Sequence, residues 1–166
     1  MRPKSTVAAY SDDGDMPPVV IRRLLDVAIA AGADSSIQRF GLETSASTAA
    51  GLRRDLGSGA DHGQMLRRIR ELVSNVDQLD AADWDLFSAE PPTTGHRGWD
   101  AALAGAVDWC AYRLGMQRPT WTAHRNAEPW LFVGSTKALH AYAFAFSPPQ
   151  FSFKGVFVDP DDLVTV

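Results

Sequence analysis

Four histidines, one cysteine and a short run of acids are the residues here whose side chains most readily do chemistry. His62, His96, His124 and His140 would be the metal ligands, but a pair on one helical face needs i, i+4 spacing, and no two of them have it. Asp80, Asp83 and Asp85 are close enough in sequence for paired acid–base work. They also surround an expected helix N-terminus, where carboxylates stabilise the exposed N–H groups without any catalytic role. Cys110 is the single cysteine, which excludes an internal disulfide, and its apolar neighbours fit a buried, inert thiol. Neither Gly-x-Ser-x-Gly, a phosphate-cradling Gly-x-x-x-x-Gly-Lys-Ser/Thr nor Gly-x-Gly-x-x-Gly occurs. The expectation is a protein that is not an enzyme, with no catalytic residue, no metal and no cofactor.

Binding is the class left. Ser36 to Gly57, SIQRFGLETSASTAAGLRRDLG, has the cadence of a helix-turn-helix: a short helix, a Gly-Leu turn, then a Ser/Thr-started helix carrying Arg53 and Arg54. Glu43-Thr44 lengthens that turn by about two residues over the usual unit. Arg67, Arg68 and Arg70 on the next helix would add phosphate contacts or simply form its wet face. A DNA-binding regulator using Arg53, Arg54, Arg67 and Arg68 is therefore the alternative reading. The aromatic-rich end points instead to a protein partner. Trp130, Phe132, Phe151, Phe153 and Lys154 are the candidate contacts there, since aromatic side chains anchor interfaces as readily as they fill cores.

The elements that must position these residues follow from periodicity. Of the 166 residues 45% are hydrophobic, enough for one proper core, and no apolar run approaches the ~20 residues of a membrane span. Residues 1–16 mix Pro, Ser, Gly and Asp without period and read as a loose arm; no signal-peptide centre is visible, so a cytoplasmic protein is expected. From Pro17, Ile21, Leu24, Leu25, Ala28 and Ile29 form a helical stripe that Gly32 ends. Helices are expected over Ser45–Leu56, from Asp61 through Val76, and over Asp80–Ser88 with Trp84 and Phe87 inward. Residues 17–79 make an N-terminal helical region and 80–166 a C-terminal helical domain, with Pro91-Pro92 as the best boundary.

Trp99, Leu103, Ala106, Val107, Cys110 and Leu114 share one face of a central helix, with small residues beside them that permit close packing. Gly115 closes it, and Trp121 is expected to begin an extended crossing through Trp130 to Val133. A helix over Ser135–Phe146, an extended Gly155–Val158 and a turn capped by Asp159 and Pro160 complete the chain. The fold class expected is mainly α, a compact helical domain with a short C-terminal extended segment or strand. Charge divides unevenly: residues 17–79 hold eight Arg against seven acids, and residues 80–166 hold six basic against ten acidic side chains. Differences this small are ordinary for a solvated surface.

Two stretches of the second half, PPTTGHRGWDAALAGAVDWCAYRLGMQRPTWT and PWLFVGSTKALHAYAFAFSPPQFSFKGVFVDPDDL, carry a likeness. The order of Pro91-Pro92, Thr94-Gly95, Asp100-Ala101, Gly115, Pro119, Trp121, Pro129-Trp130, Ser147-Pro148, Phe151 and Phe157-Val158 resembles the C-terminal part of uncharacterised actinobacterial proteins. That group is commonly encoded beside nucleotidyltransferase-like proteins. The resemblance implies an antitoxin or regulatory partner, part of a toxin–antitoxin system, binding a nucleotidyltransferase-type toxin. The group carries arginines after the position of Phe151, where this chain has Ser152, Phe153 and Lys154.

Overall fold

Residues 98–111 are small or apolar at nearly every position, and this composition dictates the architecture. In the computed structural model, which describes residues 35–134 and 137–163, this stretch lies inside helix α5 (Arg97–Leu114) and is buried on almost every side. His96 Nδ1 accepts the Trp99 N–H at 3.3 Å to start the helix, and Gly115, at φ 65°, ends it. The expected arm over 1–16 and the helix from Pro17 lie outside the described residues.

Three α-helices precede α5 along the described chain, apart from one short turn: α1 (Ser36–Phe40), α2 (Ser45–Gly57) and α3 (His62–Ser74). Their caps are the ones the sequence offers. Thr44 and Ser47 form a reciprocal capping box for α2, and Asp61 accepts the Gln64 N–H at 2.8 Å for α3. The α3 stripe of Met65, Leu66, Ile69, Leu72 and Val73 is buried, and Val76 continues it from a 3₁₀ turn, Asn75–Gln78. The helix expected over Asp80–Ser88 divides into a 3₁₀ turn (Ala81–Asp83) and α4 (Trp84–Phe87), which still bury Trp84 and Phe87.

Both α2 and α3 pack on α5, and one continuous core runs from Leu42 to Leu163. The step at 79/80 therefore separates no independent cores. Pro91 is buried, and its carbonyl accepts from Arg125 Nη2 at 2.5 Å, so the Pro91-Pro92 segment is strapped to the body of the fold. Asp100 organises the loop after it by accepting from Thr93 Oγ1 and the Thr94 N–H.

Past α5 the chain departs from the extended crossing. Thr120–His124 is a 3₁₀ turn, because Thr122 Oγ1 bonds back to the Pro119 carbonyl at 2.8 Å, and Trp121 turns inward to donate to Ser88 O at 2.9 Å. Strand β1 (Leu131–Val133) follows, then α6 (Lys137–Phe146), α7 (Pro149–Ser152) and β2 (Val156–Val158). The two strands pair in parallel, Leu131 with Val156 and Val133 with Val158, so the connection between them is the α6–α7 crossover. Gly155 enters β2 at φ 73°, and a Cβ there would lie 2.8 Å from the Ala127 carbonyl. Asp159 caps a final 3₁₀ turn, Pro160–Asp162, that delivers Leu163 to the core. The described fold is mainly α with a two-stranded parallel sheet at its C-terminal end.

A close contact joins α5 to α7. A Cβ on Gly105 would stand 2.8 Å from Phe151 Cδ1 and 3.1 Å from the Gln150 carbonyl, well inside contact distance. Gly105→Ala is expected to lower the unfolding free energy by about 1–3 kcal/mol by forcing Phe151 and its backbone away, although alanine is the better helix former. Urea denaturation followed by circular dichroism measures the change; an unaltered or raised midpoint would contradict this packing.

Candidate functional site

Two of the three acids and the thiol singled out for chemistry have structural occupations; Asp85 is exposed. Asp83 accepts from the Ser36 N–H at 2.7 Å and from Ser36 Oγ at 2.6 Å, and the hydroxyl bond holds its carboxyl below the usual range. Asp80 pairs with Arg39 at 2.8 Å on the surface. Burial pushes the Cys110 thiol up to about 12, which leaves it protonated and unreactive at neutral pH. Among the described residues no group of three His, Cys, Asp or Glu side chains is placed to hold a metal ion.

The four arginines of the DNA-binding alternative lie on α2 and α3. Arg53 donates to the Thr93 carbonyl, and Arg68 grips Asp55 with both its Nε and its Nη2, the latter at 3.2 Å. Arg54 and Arg67 are exposed. The hollow beside them, about 300 Å³, is lined by Asp55, Gln64, Arg67, Arg68 and Glu71, so acids interrupt the basic surface. α1 has five residues, and α2 is held by α3 and α5.

The Arg68 hydrogen bond lowers the Asp55 carboxyl below its ordinary value, and the Asp55 hydrogen bond raises Arg68. A carboxylate depressed in the folded state stabilises that state above the unfolded value of ~3.9, and the contribution disappears as pH falls through the lower folded value. Asp55→Asn is expected to lower stability by roughly 0.5–1 kcal/mol at pH 7 and by much less near pH 2. Urea unfolding at the two pH values reads this; an equal loss at both would exclude the ion pair as its source.

The aromatic candidates separate by depth. Phe151 is buried against Gly105 and Lys154 is buried among α5 and the Thr120–His124 turn, so neither belongs to the surface where the sequence reading placed them. Phe132 is half-buried, stacked between His140 at 4.7 Å and Phe157 at 4.9 Å. Trp130 is 62% exposed and Phe153 86%. Trp130 leans on Phe157 and Phe144, 5.3 and 5.9 Å between ring centroids.

Helix α6 adds a surface that the sequence reading did not single out. Its ten residues, KALHAYAFAF, contain one formal charge, and of the described side chains only Ala143 is fully buried. Leu139, Tyr142, Phe144 and Phe146 are 45–57% exposed, and Ala141 and Ala145 lie open between them. The signal was in the sequence: apart from Lys137, His140 and Tyr142 every residue of the helix is Ala, Leu or Phe.

Beneath Phe153 is a polar centre in an apolar interior. Lys154 Nζ donates to the Thr122 carbonyl at 2.6 Å and to Asp108 Oδ2 at 3.0 Å, with Lys154 7% and Asp108 1% exposed. Asp108 Oδ1 has no hydrogen-bond partner, and the exposed Arg118 approaches Oδ2 at 3.8 Å. Asp108 also forms part of the wall of a hollow of about 460 Å³ edged by Tyr112, Met116, Arg118, Pro149 and Phe153. Asp108 and Lys154 are each a lone charge in an apolar run, and a charge buried there needs a partner, but the sequence does not say which one.

Comparison with protein-family models, with curated proteins and with solved structures gave no match.

Removing one member of the buried pair strands the other. Lys154→Met is expected to lower stability by about 3–5 kcal/mol, while Lys154→Met combined with Asp108→Leu recovers most of the loss, since no uncompensated charge remains. Denaturation midpoints of the two variants decide it. A double variant no more stable than the single one would mean that the ion pair is not the origin of the loss.

Proposed function

We propose that this chain is a non-catalytic recognition module of the antitoxin-like or regulatory kind, which works by binding another protein through the outer surface of α6 and Trp130. One observation carries the reading: apart from Lys137, His140 and Tyr142 every residue of α6 is apolar, yet of its described side chains only Ala143 is fully buried. A helix this apolar ordinarily buries much more of itself. Trp130, Leu139, Tyr142, Phe144 and Phe146 are each 45–62% exposed, a concentration of large apolar side chains unlike the singly scattered ones of an ordinary protein surface.

The partner this surface fits is a different protein with an apolar groove that takes α6 on three sides. A flat contact between two copies of α6 would bury less than the ~800 Å² per side of a standard stable interface, whereas a groove also covers the open Ala141–Ala145 ridge. The engagement of Arg53 and Arg68 within the fold favours a protein over DNA. A nucleotidyltransferase-type toxin is the partner implied by the resemblance of the second half.

Placing a photo-crosslinking residue at Ala145 in the native host tests the reading. The expected product is one adduct with a different polypeptide, reduced at least about tenfold by Phe146→Asp, as loss of a central aromatic anchor predicts. An adduct only with a second copy of this chain, or none above background, would overturn it. No helix among the described residues is long and apolar enough to cross a membrane.

A further inference from the structure

The hollow beside Phe153 is independent of the α6 surface and is built differently. Its walls come from the last turns of α5, the segment after it that carries Met116 and Arg118, and α7 with the following Phe153; α5 and α7 are in close contact at Gly105 and Phe151. At about 460 Å³ it is an open hollow of a size that accommodates a small molecule. Two large aromatic side chains stand at its edge almost fully in solvent, Phe153 and Tyr112, an arrangement with no role in the core.

The charge of the site is also specific. Lys154 neutralises Asp108, so the guanidinium of Arg118, 71% exposed, remains as the net charge of the lining. Arg118 has Asp108 as its ion-pair partner among the described residues, at a separation of 3.8 Å, too long for a hydrogen bond.

From these we infer that the hollow binds a small planar aromatic anion. The ring lies against Phe153 and Tyr112, and the negative group meets Arg118. A cationic ligand would oppose Arg118, and a purely apolar one would leave the guanidinium unanswered.

Three compounds sharing one ring distinguish the contributions: indole-3-acetate, neutral indole-3-acetamide and cationic tryptamine, titrated against the full chain and followed by backbone amide shifts. Indole-3-acetate is expected to bind most tightly and tryptamine most weakly, with shifts at Tyr112, Gly115, Gln150 and Phe153. Arg118→Glu is expected to weaken indole-3-acetate at least about tenfold without weakening tryptamine, and Phe153→Ser to weaken all three. Both substitutions alter side chains more than two thirds exposed, so the fold survives them. Phe146→Asp, which disables the proposed protein surface, should leave every titration unchanged. Absence of shifts at the hollow up to millimolar ligand, indifference to Arg118→Glu, or loss of binding in Phe146→Asp would each overturn the inference.

Discussion

The Lys154 ammonium and the Asp108 carboxylate are 3.0 Å apart in an interior that otherwise contains almost no charge, and this pair constrains everything around it. Asp108 belongs to α5, Lys154 to the turn before β2, and the Thr122 carbonyl that shares the ammonium belongs to the turn after α5. Three segments distant in sequence must therefore meet at one point. Misregister of any of them would leave a charge unpaired in a medium where it has no solvent, which is a far larger penalty than a misplaced methyl group.

That meeting point fixes what lies on either side. Toward the centre, Gly105 lets Phe151 press directly on the α5 backbone, and Phe87, Trp99 and Trp121 are buried in the same core. Toward solvent, the same turn throws Phe153 outward while Lys154 goes inward, so adjacent residues have opposite fates. Aromatic content at this end is thus divided between completing the core and forming surface. The surplus collects in two places, around α6 with Trp130 and at the mouth of the hollow beside α5.

The basic residues of the front half tell a different story. Arg68 is committed to Asp55, Arg70 reaches the Asp162 carbonyl at 2.6 Å, and Arg39 pairs with Asp80 at 2.8 Å. These contacts join neighbouring elements instead of presenting a continuous positive face. Arg70 in particular ties α3 to the last described turn, which helps to explain why the front and back halves share one core.

Much of this was legible in the sequence. The stripes of α3 and α5, the caps at Thr44 and Asp61, the stop at Gly115 and the closing Asp159-Pro160 step are local signals, set by periodicity and by the hydrogen-bonding needs of helix ends. Mainly helical architecture with a short C-terminal strand followed from them. Only the tertiary structure decided which charges meet, that the two strands pair in parallel, that Trp121 turns inward through a 3₁₀ turn, and which of Phe151, Phe153 and Phe157 face solvent. The physical reason is range. A helix stripe is determined by residues three or four apart, whereas burial of a given phenylalanine or the pairing of Lys154 with Asp108 depends on segments 46 residues apart that no local pattern brings together.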